Sequence, residues 1–189
     1  MLLAVCSTVL VSCKDDKDDD PALPPASVLC DGKGSLSFMP LKLNNEWTLS
    51  TTGNAVTLSV IDTMTDAGLK IYNVVSSLGG GATYYQAPNG DVKIYQFSSA
   101  DYVLYVPVNP VAGQTWSYLV DNCTTRKVIN TNATVVTPAC TYTGCVMIQQ
   151  FNGATLKRTE YFKRGLGLVS TDIIAQGSVV TKLAAVKLY

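Results

Sequence analysis

The feature that most constrains the fold of this chain is a succession of short apolar, β-branched and aromatic runs. Residues 92–97 alternate apolar and polar side chains with a period of two, as a strand with one buried face requires. Turn residues that tolerate a positive φ separate the runs at 52–54, 88–91 and 152–153. No window of eleven or more residues keeps the i, i+3, i+4 apolar spacing of an amphipathic helix. The pattern predicts strands at 46–51, 55–62, 68–76, 82–86, 91–97, 101–106, 115–120, 126–137, 144–151, 154–163, 166–174 and 178–188.

Short strands with tight links predict an all-β domain whose curved antiparallel sheet forms a half-barrel or an open barrel. A weak internal repeat accompanies them. Trp47 follows Pro40 and Trp116 follows Pro110, each at the start of a strand pair, and each half later reaches two adjacent aromatics, at 84–85 and 161–162. Two similar halves would explain the repeat, and chance would explain it as well.

The N-terminus determines where the domain is expected to reside. An apolar run ends in Leu10-Val11-Ser12-Cys13. This junction resembles the lipobox of a bacterial lipoprotein, which implies a signal peptide over 1–12 and acylation of Cys13. The run is far shorter than the roughly 20 residues that span a bilayer. No Lys or Arg precedes it, so the true start could lie further upstream. The alternative is a buried N-terminal element of a cytosolic domain.

The residues after Cys13 also resemble the export signal of surface lipoproteins in the Bacteroidetes. That resemblance implies the outer leaflet of the outer membrane, exposed at the cell surface, with the membrane contacted through the lipid anchor. The residues that carry it are Lys14, Asp15, Asp16, Lys17, Asp18, Asp19 and Asp20. Prolines and glycines follow, so we interpret 13–35 as the lipid attachment site and a flexible tether, and 36–189 as one β-rich domain.

Charge and residue inventory exclude several functions. The chain has a net charge of zero, and its acidic segment leaves about +3 on the domain, too little to indicate a nucleic-acid partner. Histidine is absent, which removes the commonest general base and metal ligand. Isolated acids lie in no recognisable catalytic context, so we predict that the protein is not an enzyme and needs no cofactor.

Four cysteines remain after the signal peptide and the lipid-bearing residue. In an exported protein they predict disulfides, and three pairings are open. From this count we expect at most one thiol in the mature domain. A metal site is disfavoured because neither a CxxC motif nor a histidine accompanies them. The candidates are Cys30, Cys123, Cys140 and Cys145.

The most distinctive motif covers residues 160–169, Glu-Tyr-Phe-Lys-Arg-Gly-Leu-Gly-Leu-Val. With Gly113-Gln-Thr-Trp116 and residues 135–146, it resembles a family of small β-rich bacterial outer-membrane lipoproteins of unknown role. The resemblance implies a curved antiparallel sheet and no catalytic residues. Cys140 replaces a glycine of the family pattern, and Arg164 replaces a small residue. We interpret Gly165 and Gly167 as a structural bend rather than a phosphate loop, since no helix pattern follows them.

Two groups of side chains could serve binding. Strand-borne tyrosines could stack on sugar rings, although tyrosine is also simply a good strand former. Basic residues could meet anionic lipids, although solvated charges that guard strand edges are the simpler interpretation. The tyrosines are Tyr72, Tyr84, Tyr85, Tyr95, Tyr102, Tyr105 and Tyr118, and the basic residues are Arg126, Lys127, Lys157, Arg158, Lys163 and Arg164.

The sequence therefore favours a membrane-anchored, noncatalytic module that binds a glycan, a lipid or a protein partner. The alternative is a structural component of the envelope or of a surface appendage, and a hydrolase is a distant third. An aromatic-lined cavity would favour binding. A flat exposed apolar edge would favour assembly, and converging carboxylates would favour hydrolysis.

Overall fold

The structure is a computed structural model that describes residues 30, 35–51, 54–66, 68–120, 122–174 and 177–189. The predicted signal peptide, the lipidation site Cys13 and the export signal Lys14 to Asp20 lie outside the described residues. Among those described, no helix is long and apolar enough to cross a bilayer.

The described chain forms twelve strands in one antiparallel sheet, which confirms the predicted all-β class. Each predicted strand is present. β2 extends four residues further than predicted, and β7 ends three residues earlier. The strands are β1 Glu46–Ser50, β2 Ala55–Asp66, β3 Leu69–Ser76, β4 Gly81–Gln86, β5 Val92–Gln96, β6 Asp101–Val106, β7 Thr115–Ser117, β8 Thr125–Val136, β9 Thr141–Asn152, β10 Thr155–Lys163, β11 Gly167–Ile173 and β12 Val179–Lys187.

The sheet curls into a nearly closed barrel with one seam. β1 pairs with β12, every other pairing joins strands adjacent in the chain, and β6 and β7 are the two edges. The indole Nε1 of Trp116 on β7 donates a hydrogen bond of 2.7 Å to the carbonyl oxygen of Leu104 on β6, so a side chain bridges the seam.

The barrel consists of two six-stranded meanders, β1–β6 and β7–β12. Trp47 lies on the first strand of one meander and Trp116 on the first strand of the other. The aromatic pairs at 84–85 and 161–162 both lie on the fourth strand of their meander. The residues of the sequence repeat thus occupy equivalent strands of two similar halves.

Because neighbouring strands run antiparallel, the turns divide between two ends of the barrel. We call the end where the chain enters β1 the lower end. It also carries the turns between β4 and β5 and between β10 and β11. The upper end carries the turns between β3 and β4, β5 and β6, and β9 and β10.

The segment 35–45 covers the lower end. Phe38, Met39 and Leu41 are buried there in the same apolar cluster as the strands. Arg164 holds this segment. Its guanidinium lies 4.3 Å from the centroid of the Phe38 ring and donates to the backbone oxygens of Leu36 and Val108. Arg164 therefore has a structural role.

The Gly-x-Gly motif forms the turn between β10 and β11. Gly165 has φ 70° and Gly167 has φ 113°, conformations that side chains with a Cβ rarely adopt. The indole Nε1 of Trp47 donates to the carbonyl oxygen of Leu166 at 2.5 Å. A Cβ built on Gly167 would lie 2.4 Å from that nitrogen, so the missing side chain makes room for the indole.

One disulfide, Cys30–Cys140, joins the described N-terminal residue to the turn between β8 and β9. Cys123 and Cys145 are buried thiols, so the expectation of at most one thiol is wrong. Cys123 Sγ lies 3.6 Å from Oε1 of Gln150, which is five residues, or about 17 Å, along β9 from Cys145. A disulfide needs Cα atoms within roughly 7 Å, and this separation prevents the second bond.

Candidate functional site

An ion pair between Arg126 and Glu160 lies inside the barrel. Arg126 on β8 and Glu160 on β10 have side chains that are 0% and 2% exposed. The strand register places Arg126, Gln150 and Arg158 opposite one another across β8, β9 and β10. The same period-two alternation that buries Val128 turns Arg126 inward.

The Glu160 carboxylate is the centre of this cluster. Its Oε2 accepts from the Arg126 guanidinium and from Gln150 Nε2, the latter at 2.8 Å. Its Oε1 accepts from the hydroxyl of Tyr105 at 3.2 Å and lies 3.7 Å from Nη1 of Arg158. One carboxylate therefore serves two guanidinium groups, an amide and a phenol.

Two aromatic rings cover the Arg126 guanidinium. Its Cζ lies 4.2 Å from the centroid of Tyr105 and 4.7 Å from that of Tyr118. Burial opposes the charge, but Glu160 and Tyr118 outweigh it and raise the pKa of Arg126. Burial, reinforced by Glu160, raises the pKa of Tyr105 well above its usual value, so Tyr105 acts as a neutral donor. Nε and Nη1 of Arg126 have no acceptor among the described atoms.

This chemistry is that of a fixed polar network. General acid–base hydrolysis of a glycoside needs two carboxyl groups facing a substrate, whereas this cluster offers one that is already bonded to Arg126. Within the described ranges, no group of three or more Cys, Asp or Glu could hold a metal ion. The network therefore keeps its side chains rigid and places buried charge next to the residues that pack against it.

A cavity of about 200 Å³ opens at the upper end, beside this cluster. Both halves of the barrel contribute to its wall. Its lining is mainly aromatic and aliphatic, and Arg158 is its charged member among the described residues. The lining residues are Gly81, Ala82, Tyr84, Ile94, Tyr95, Phe97, Tyr105, Tyr118, Val120 and Arg158.

Edge-to-face contacts fix the rings of this cavity. The centroids of Tyr84 and Tyr105 are 5.3 Å apart, and those of Tyr95 and Phe97 are 5.0 Å apart. Phe97 is 82% exposed, which is unusual for a large apolar ring. Tyr105 and Tyr118 belong both to the cavity wall and to the cover of Arg126. The buried network thus supports the wall from behind.

A cavity of about 180 Å³ at the lower end has a different character. The segment 35–45 and the C-terminus line it, and Tyr189 is its sole aromatic ring among the described residues. The upper cavity is therefore the better candidate for a ligand that presents ring faces.

The structure corrects the sequence interpretation of the basic residues. Arg126 does not guard a strand edge in solvent, because it is fully buried. Arg158 lies at the cavity wall, whereas Lys163 donates to the carbonyl oxygen of Thr143 at 2.8 Å near the lower end. The network of Arg126, Gln150 and Glu160 was not predicted from the sequence. Each of these three residues lies two positions from a large apolar residue that is buried, at 128, 148 and 162 respectively. Because residues two apart on a strand share a face, this spacing could have predicted that the polar side chains point inward.

Comparisons with known proteins found similarity of fold. No protein-family model and no curated protein sequence matches this chain. A candidate lipoprotein from Parabacteroides distasonis ATCC 8503 is 16% identical with a TM-score of 0.47, covering 82% of this chain and 100% of that one. A candidate exported protein with a YmcC-like fold from Bacteroides fragilis NCTC 9343 is 13% identical with a TM-score of 0.46, covering 80% of this chain and 99% of that one.

Proposed function

We propose that this protein is a noncatalytic, lipid-anchored surface module whose upper cavity binds a saccharide. The observation that carries the proposal is the cavity lined by Tyr84, Tyr95, Phe97, Tyr105 and Tyr118. Aromatic faces offer flat apolar surfaces against which the C–H faces of sugar rings can pack. The volume is below the roughly 300–1,000 Å³ of a pocket for a drug-sized ligand, so the cavity suits one sugar ring or a chain end.

The entry of the chain supports an outward-facing cavity. The segment 35–45 covers the lower end, and the chain toward Cys13 continues from Cys30, five residues before this segment. A lipid on Cys13 would therefore hold the barrel from its lower side. The aromatic cavity lies at the opposite end. This polarity suits a receptor that presents its binding end away from the membrane.

The assembly alternative has less support. It requires strand edges that are free to pair with another subunit. Here the two edges, β6 and β7, face each other across the seam and are joined by the Trp116–Leu104 hydrogen bond. A ligand-binding role therefore fits the described barrel better than edge-to-edge polymerisation.

The test of the binding role is a screen of immobilised glycans, followed by calorimetry on every saccharide that binds. We expect Phe97→Ala and Tyr95→Ala each to weaken binding about three- to tenfold, because each removes one ring contact. Tyr189→Ala, an exposed tyrosine at the lower end, is the matched control and should bind normally. Binding that is insensitive to both upper-end variants, or lost in the control, would contradict the proposal.

The anchor is tested separately. Cys13→Ser removes the acylation site, so the variant should appear in the soluble fraction of cells that retain the wild-type protein in membranes. Surface exposure predicts that external protease digests the wild-type protein on intact cells. A Cys13→Ser variant that remained in the membrane would show that the anchor is assigned wrongly.

A further inference from the structure

Building on the proposed function, we propose that the ligand is a single neutral polysaccharide chain that extends from the upper cavity onto the outer face of the barrel. Its end residue occupies the cavity, and its next residues lie across an aromatic strip on β4, β5 and β6. The strip consists of Tyr85, Tyr95, Phe97 and Tyr102. These rings add sugar contacts outside the cavity and select a chain over a free monosaccharide.

Strand alternation places the tyrosines of the strip on the outside of the barrel. Tyr84 and Ile94, which pair across β4 and β5, belong to the buried core cluster. Tyr85 and Tyr95 each lie one position further along their strand and therefore point to the opposite, outer face. Tyr102 is the register partner of Tyr95, so its side chain lies on that same face. All three tyrosines of the strip are half-buried, which leaves part of each ring accessible.

Ring contacts make the strip continuous with the cavity. The centroids of Tyr85 and Tyr102 are 5.8 Å apart, those of Tyr102 and Tyr95 are 5.3 Å apart, and those of Tyr95 and Phe97 are 5.0 Å apart. Tyr95 and Phe97 also line the upper cavity, so the strip begins at the cavity mouth. Each step is comparable to the length of one hexopyranose residue. A chain that leaves the cavity can therefore place successive residues against successive rings.

The tilt of the rings favours a single chain over a flat polysaccharide surface. The planes of neighbouring rings in the strip are inclined by 65°, 64° and 90°. A crystalline polysaccharide presents coplanar sugar faces, which cannot lie against rings at such angles together. The residues of a single chain rotate about their glycosidic bonds and can follow the tilt. The exposed ring of Phe97 is the first that such a chain meets outside the cavity.

The charges beside the strip favour a neutral ligand. Lys93 is the register partner of Tyr85, and Asp101 directly precedes Tyr102. Charges of both signs thus flank the rings and produce no single-sign field that would attract a charged polymer. Packing against the aromatic faces is then the main source of affinity. Binding should accordingly depend little on salt.

Chain length should control the affinity. Each additional residue that reaches a ring adds a contact worth roughly three- to tenfold in affinity. The residue held in the cavity also keeps the following residues close to the strip, so the linked contacts reinforce one another. Affinity should therefore rise with chain length and level off where the strip ends at Tyr85.

The experiment measures binding of neutral oligosaccharides of increasing length by calorimetry on the intact folded protein. The probes are cello-, manno-, xylo- and chito-oligosaccharides, each from the monosaccharide to the hexasaccharide. Tyr85→Leu keeps apolar volume and removes the aromatic face at a position outside the described cavity lining. Tyr189→Leu makes the same change at the lower end and is the matched control. Unfolding midpoints establish that both variants are folded, and the length series on the wild-type protein needs no variant.

We expect the tetrasaccharide of at least one series to bind about ten- to a hundredfold tighter than its monosaccharide. Tyr85→Leu should lose roughly three- to tenfold of this gain while its monosaccharide affinity stays unchanged, and Tyr189→Leu should keep the whole gain. Binding of the wild-type protein to crystalline cellulose or chitin but to none of the soluble chains would contradict the single-chain form of the ligand.

Two results would separate this inference from the proposed function. Equal affinities along every series would overturn chain binding and leave the cavity as a site for one sugar. A gain that survives in Tyr85→Leu would overturn the role of the strip, and sedimentation would show a contact between two copies of the chain if this variant dissociated a dimer. The absence of binding by every probe would overturn this inference, and a negative glycan screen would overturn the binding role with it.

Discussion

At the residue scale, Glu160 is the acceptor that the buried polar cluster shares. It neutralises Arg126 and accepts hydrogen bonds from Gln150 and Tyr105. Glu160→Gln would leave a buried guanidinium without a counterion, so we expect the free energy of unfolding to fall by about 3–5 kcal/mol. Tyr105→Phe removes one donor and should cost about 1–2 kcal/mol. Urea unfolding measures both, and equal losses would contradict the central role of the carboxylate.

Gly167 makes a second prediction at this scale. Its Cβ would collide with the Trp47 indole, whereas Gly153, also at positive φ, has nothing within 4 Å of the equivalent position. Gly153→Ala should therefore cost about 1 kcal/mol for the backbone conformation alone. Gly167→Ala should cost roughly 2 kcal/mol more, because the indole must shift. Similar unfolding free energies for the two variants would show that the indole yields without cost.

Cys145 gives a prediction about pH. Burial raises the pKa of its thiol to about 11, although Lys163 acts in the opposite direction. The unfolded chain releases this proton near pH 9, so stability is retained below that value and falls as the pH rises from about 9 toward 11. Cys145→Ala should show a shallower loss over this interval. Iodoacetamide at pH 8 should label Cys145 only after unfolding, and labelling of the folded protein would contradict the burial.

At the scale of elements, the seam between β6 and β7 is the part of the barrel held by a side chain. Trp116→Phe keeps the ring and removes the donor to Leu104, so we expect a loss of about 1 kcal/mol. Hydrogen exchange should accelerate mainly in β6 and β7. Trp47→Phe, which removes the bond to Leu166, is the control and should leave β6 and β7 exchange unchanged. If hydrogen exchange in Trp116→Phe accelerated uniformly across the sheet, a local role of this hydrogen bond at the seam would be contradicted.

Element placement was the part of the fold that sequence could predict best. Period-two alternation and turn residues located every strand, because both follow from local backbone geometry. Closure was harder, because the pairing of β1 with β12 joins residues near the two ends of the domain. The disulfide was equally nonlocal, since 110 residues separate Cys30 from Cys140.

At the scale of the whole molecule, the candidate site shows why function was harder to predict than fold. The cavity draws Tyr84 from β4, Tyr105 from β6 and Arg158 from β10, which no local pattern connects. Charged residues such as Arg126 suggest solvent exposure when they are considered one at a time. The compensating carboxylate, Glu160, is 34 residues away in the chain. Only the curvature of the sheet brings these groups together.

The proposed function depends on ligand binding at the upper end of the barrel. The most direct test is fluorine NMR of protein labelled with 3-fluorotyrosine, titrated with each saccharide that the glycan screen identifies, with resonances assigned by Tyr→Phe variants. We predict that the signals of Tyr84, Tyr95, Tyr105 and Tyr118 shift in a saturable way, while those of Tyr161 and Tyr189 stay in place. Shifts confined to Tyr189, or no shift with any saccharide, would contradict the assignment of the upper cavity as the binding site.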